Sequence, residues 1–192
     1  MHDNYGGKDV KREQEAPDHK EKRFADSKNA GLIWPNMKYE IAENCMTCHG
    51  LAHPDLKADD LAKMLGAGHP INPDFELVKY SQGSVRHRYY PPDIKTNAEM
   101  TPQDLTQIYV IGQAAALVSA TEAMSKSGEA KYKEAQNKRA ENAKAVLKNI
   151  PEAAGLLASP SRENALKLSK AIAGKDLTSV VGGKLPATSD YK

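Results

Sequence analysis

Three side chains in this sequence are spaced to do chemistry together. Cys45, Cys48 and His49 form a Cys-x-x-Cys-His pattern within Glu43-Asn44-Cys45-Met46-Thr47-Cys48-His49-Gly50. On a helix, residues i and i+3 share a face, so the two thiols stand one turn apart on the same side. At that spacing they can bond the two vinyl groups along one edge of a haem. The next residue then offers an imidazole nitrogen to the iron. The pattern therefore predicts one covalently attached haem c, with His49 as an axial ligand.

Other chemistries compete for the same residues. A thioredoxin-like redox pair needs a strand–turn–helix setting, and no βαβ pattern surrounds the motif. A structural zinc site needs further ligands, for which His49, His53 and His69 are candidates, but there is no second cysteine pair. Two unreactive thiols are the plainest alternative. A disulfide between Cys45 and Cys48 would close a very small loop and stabilise little.

On these residues the chain resembles the c-type cytochromes. The likeness covers the five-residue motif, the helix before it and Gly50, with a weaker echo in Thr101 to Val118. Many small members of that family close with such a capped helix crossing the first. The resemblance implies a cytochrome c-like haem-binding core and electron transfer, not enzymatic catalysis. Small electron-carrying members usually supply a Met as second iron ligand, often in a Met-Pro stretch, and no Met-Pro occurs here. Met100 fits a packing role, Met64 reads as core on a helix, and Met46 lies inside the motif and cannot reach over the ring. His2 and His19 fall in a charged stretch, and His53 lies on the His49 side of the haem. That leaves His87 and His69. In Val85-Arg86-His87-Arg88-Tyr89 the alternation puts Val85, His87 and Tyr89 on one face. His69 sits at a fixed Gly-His-Pro corner. The expectation is bis-histidine ligation, with His87 ahead of His69 and Met100 or an open site as alternatives. Bis-histidine ligation lowers the reduction potential relative to His/Met. Arg86 and Arg88 can pair with haem propionates, and Tyr80, Tyr89, Tyr90 or Trp34 can donate to a propionate or pack on the ring.

The elements that must position these groups are helical. Ile41, Cys45, Cys48 and His49 fall on one face of a helix from Met37 to His49, and Gly50 is a natural stop. Asp59 to Leu65 is a second short helix with Leu61, Met64 and Leu65 on one face, ended by Gly66 and Gly68. Residues 70–97 read as an irregular segment rich in Pro and aromatics. From Thr101 the chain turns helical: Thr101 is an N-cap, Pro102 opens the helix, and Met100 and Leu105 hold the staple positions. A break at Ser125–Gly128 precedes an amphipathic helix whose apolar stripe is Tyr132, Ala135, Ala140, Ala143, Val146, Leu147 and Ile150. That stripe packs on the domain or docks a partner helix. Pro151 ends it, Ser159-Pro160 starts another helix closing at Gly174, and the tail from Lys175 has no clear pattern. No alternating strand signal of any length appears, so the class is mostly α. The division expected is a flexible charged arm over 1–30, a haem-binding cytochrome c-like domain over 31–124, and a C-terminal helical extension over 125–192 packed on it. The arm rests on 14 charged residues of both signs in positions 1–28, with order beginning near Leu32-Ile33-Trp34.

Composition fits this reading. Among the 192 residues, aromatics are 6 %, with one Trp and two Phe, so a core of Ala, Leu, Ile and Val is thin unless something bulky fills it. The formal charge is +2, which two propionates would bring near zero, and no basic stripe calls for nucleic acid. No run of about 18 apolar residues encodes a transmembrane helix. Haem attachment to this motif normally follows export, so a periplasmic or otherwise extracytoplasmic location, reached through a leader since removed, is expected. Paired-carboxylate motifs, nucleophile elbows and phosphate loops are absent from the sequence. Two functions follow. One is an electron carrier serving redox partner proteins, alone, as a homodimer or in a larger redox complex. The other is a haem protein with an open sixth site that senses or handles NO, CO or peroxide.

Overall fold

A computed structural model describes residues 17–72, 74–83 and 100–192. Among them the chain is helical, with no strand. Among the described residues nine α-helices run in order: α1 Pro17–Asn29, α2 Lys38–His49, α3 Ala58–Gly66, α4 Leu77–Ser81, α5 Pro102–Lys126, α6 Ala130–Leu147, α7 Ala154–Ala158, α8 Arg162–Ala171 and α9 Thr178–Val181.

The central element is α5. Thr101 caps it, its hydroxyl oxygen accepting from the Asp104 N–H at 3.2 Å, with Pro102 at the start. Every residue from Thr106 to Gly112 is buried, so the helix is covered all round instead of showing one apolar stripe. Its partners are α6, α2, α8 and α4. Gly112 is needed where α4 approaches, because a Cβ there would stand 3.0 Å from Leu77 Cβ. Met100 and Leu105 pack half-buried against the core, as their staple positions require.

Residues of α2, α4, α5, α6, α7, α8 and α9 share one apolar cluster, from Tyr39 through Leu117 and Leu147 to Val181. The 31–124 and 125–192 segments therefore build one core. The Arg162 Nε–H of α8 is also shared between both carboxylate oxygens of Glu43 on α2, at 3.0 Å from each. The pair is largely exposed, so it orients more than it stabilises.

Several expectations are corrected. Order begins well before Leu32: Pro17–Asn29 is a helix, tied to the following turn by Trp34 Nε1 donating to the buried Ser27 hydroxyl at 2.8 Å. Phe24 meets the Trp34 ring edge-on at 4.4 Å. The mixed charges hid this helix because it buries only Ser27 and shows no periodic apolar stripe. Met64 is exposed, not core, since α3 buries Ala58, Leu61 and Ala62. The segment after residue 70 is not wholly irregular, because Glu76 caps the short α4 by accepting from the Val78 and Lys79 N–H groups at 2.9 and 2.8 Å. The tail after Lys175 packs, burying Leu177 and Val181. Among the described residues no helix is long and apolar enough to cross a membrane.

Candidate haem-attachment site

The motif helix buries one face and leaves another open. Tyr39, Ala42 and Met46 form its buried stripe against the core. Ile41 and Cys45 are half-buried at the margin, and Cys48 and His49 are exposed. The four residues that share a face by periodicity thus line the outward edge of α2. Both thiols are free. Burial, and secondarily the neighbouring Cys48, pushes the Cys45 thiol up, which keeps it protonated.

The His49 ring is held by aromatics. Phe75 stacks on it at 4.0 Å between centroids with 14° between planes, and Tyr80 lies 5.7 Å away. Tyr80 is itself fixed, 4.9 Å from Phe75 and accepting from Asn72 Nδ2 at 3.0 Å. Stacking covers a ring face and leaves the nitrogens, whose lone pairs lie in the ring plane. Neither nitrogen has a hydrogen-bond partner among the described residues. Partial burial lowers the His49 pKa, favouring the neutral imidazole that binds metals. Phe75→Ala removes that cover. In the haem-free chain it is expected to raise the His49 pKa toward the ordinary histidine value, read from the ring-proton NMR shift against pH. An unchanged titration would show that Phe75 does not shield the ring.

The turn after His49 carries an unusual termination. The Leu51 N–H bonds Cys48 O and the Ala52 N–H bonds Thr47 O, both at 3.0 Å, the paired bonds of a Schellman ending. The left-handed residue of that ending is Leu51, with φ +47°, and not Gly50, which stays right-handed at φ −92°. Gly50 is glycine for space: a Cβ there would run into the Arg139 guanidinium and the Met46 carbonyl oxygen. Left-handed backbone costs a leucine about 1–2 kcal/mol. Burial of its side chain, 3 % exposed, offsets this at about 25 cal/mol per Å².

Three polar residues of α6 grip the same turn. Tyr132 donates to Leu51 O at 2.6 Å, Gln136 to Gly50 O at 2.8 Å, and Arg139 Nη1 to Gly50 O at 3.1 Å. Arg139 also bonds Gln136 Oε1, Ser119 Oγ at 2.8 Å and Met46 Sδ at 3.3 Å. At i, i+4 and i+7 they form one face of α6. The apolar stripe read from sequence caught Tyr132 and passed over Gln136 and Arg139, because polar residues in a stripe search are assigned to solvent. Spacing was the available signal, since both continue the Tyr132–Ala143 face. Phe75 lies in the aromatic-rich segment after residue 70, where no local spacing points to its contact with His49.

The structure brings Cys45, Cys48, His49, Phe75 and Tyr80 together. It places Trp34 at the junction of α1 and α2, with its indole N–H committed to Ser27. His69 stands exposed beyond α3, its Nδ1 3.0 Å from Pro70 O. His53 lies in the loop after the motif, with Nδ1 accepting from the Asp55 N–H at 3.2 Å. Arg86, His87, Arg88, Tyr89 and Tyr90 lie outside the described residues, as do His2 and the first 16 positions generally. Among the described residues no group of three or more His, Cys, Asp or Glu side chains is arranged to hold a metal ion. No protein-family model, curated protein or solved structure matches this chain.

Proposed function

We propose that this chain is a monohaem c-type cytochrome that moves electrons between redox partner proteins outside the cytoplasm, with a cytochrome c-like core. The observation that carries the reading is the placement of Cys45, Cys48 and His49 at i, i+3 and i+4 of α2, with Cys48 and His49 exposed and Cys45 half-buried at the margin of the core. A tetrahedral zinc site needs four donors converging on a point, and no such convergence occurs among the described residues. A haem makes a different demand, two thiols along a helix edge and one imidazole with a free nitrogen. The residues present fit that demand. The capped helix α5 packing on α2 is consistent with the family's pairing of motif helix and closing helix.

In this reading Cys45 and Cys48 would hold the haem covalently and His49 would ligate its iron. Phe75 and Tyr80 orient the imidazole. The second ligand would be a histidine, His87 ahead of His69, and Arg86, Arg88 and Tyr89 would serve the propionates. When bound, the haem supplies one-electron exchange between ferric and ferrous iron. The polypeptide holds the ligand ring at a fixed angle, so little moves when the charge changes.

The test is the native protein itself. It is expected to be coloured, to exceed the polypeptide mass by one haem, and to show a sharp low-spin ferrous spectrum unchanged by carbon monoxide. A colourless protein of bare polypeptide mass overturns the reading. A coloured protein whose ferrous form binds carbon monoxide rapidly overturns the electron-carrier part and leaves the sensor alternative.

A further inference from the structure

Arg139 is 4 % exposed and, among the described residues, has no carboxylate partner. All of its bonds go to neutral acceptors: Gly50 O, Gln136 Oε1, Ser119 Oγ and Met46 Sδ. Burying a cation without a counter-ion is costly. Hydrogen bonding alone does not account for it, because Gly50 O already accepts from the neutral Gln136 amide at 2.8 Å. What Arg139 adds to this turn is charge. It remains a cation at neutral pH, burial drawing it down only to about 10.

The carboxylates that share a cavity with it make no ion pair with it. Asp74 and Glu76 line the same cavity of about 250 Å³, together with Phe75, Tyr109 and Arg139. Glu76 is spent on capping α4, and Asp74 is exposed. The cation therefore sits uncompensated behind the turn that follows His49, separated from solvent, where charges interact strongly over several ångströms.

On the haem reading above, we infer that Arg139 is a positioning residue that sets the reduction potential of the iron held at His49. It does so by placing a fixed buried positive charge against the Gly50 carbonyl. A fixed cation disfavours the ferric state, which carries one more positive charge than the ferrous, and so raises the potential. It touches neither iron nor ligand; it acts through the turn.

The experiment is potentiometric titration of the full haem-bearing chain and its variants. Arg139→Gln keeps amide donors and removes the charge, and is expected to lower the potential. Arg139→Lys restores charge without the fork, and is expected to return the potential toward that of the unaltered chain. Ser119→Asp leaves Arg139 in place and sets a carboxylate beside Nη2, so it is expected to lower the potential even where Arg139→Gln fails to fold. Tyr132→Phe removes one bond to the turn at constant charge, and is expected to lower stability without moving the potential. Unchanged potentials in Arg139→Gln or, where that variant does not fold, in Ser119→Asp overturn this inference and leave the haem assignment standing. An unaltered chain without covalent haem overturns the assignment and this inference with it.

Discussion

The Cys45→Ser/Cys48→Ser chain is expected to lose all haem on denaturation, while the unaltered chain keeps it through a denaturing gel. Coordination by His49 does not survive unfolding, whereas thioether bonds do, so the two thiols decide the outcome. Each single substitution is expected to leave one bond and a shifted pyridine haemochrome spectrum. The substitutions are mild for the fold. Cys48 is exposed and Cys45 only half-buried, so the pair costs about 1 kcal/mol of stability. Circular dichroism of the double variant is therefore expected to keep the helical signal, which separates lost attachment from lost structure. A thiol titration gives the complementary number. The native unaltered chain is expected to show no reactive thiol, and two reactive thiols would sink the attachment chemistry. The zinc alternative predicts a different result, with both thiols appearing when a chelator is added.

Much of the local structure was legible because its causes are local. Thr101, Pro102 and Asp104 specify a helix start through backbone groups within one turn, and α5 starts there. The spacing of Cys45, Cys48 and His49 placed all three on one helical edge for the same reason. What escaped the sequence depends on partners far along the chain. Gly50 reads as a left-handed stop, yet its role is set by a guanidinium 89 positions away, and the left-handed conformation falls to Leu51. Arg139 and Gln136 read as a solvated face until the carbonyls of Gly50 and Leu51 are known to lie opposite. Met64 fits an inward face by periodicity, but among the described residues its side of α3 is left exposed. Phe75 stacks on His49 across 26 positions of sequence, which no window of local spacing reports.

Alkaline solution is expected to unfold this protein cooperatively, because tyrosines are among its largest buried side chains. Tyr39, Tyr109 and Tyr132 are 1 %, 7 % and 0 % exposed. Burial raises all three phenol pKa values above 10, with Glu43 adding to the rise at Tyr39 and Glu76 at Tyr109. The sign follows from proton binding. Above pH 10 the unfolded chain releases these protons and the folded chain retains them. Stability is therefore complete below pH 10 and falls as pH rises through the raised values. Arg139 opposes this with one proton, since its folded value near 10 lies below its unfolded one. Each phenol that keeps its proton in the folded chain after the unfolded chain has lost it contributes a slope of about 1.4 kcal/mol per pH unit. Denaturant midpoints between pH 8 and pH 11.5 check the slope. Phenolate absorbance from the three buried tyrosines is expected to appear together with loss of the near-ultraviolet dichroism, and Tyr39→Phe is expected to reduce the slope by one proton. If these phenols instead ionise near pH 10 in a chain that stays folded, the turn after His49 is open to water, because the Tyr132 hydroxyl is one of its three anchors.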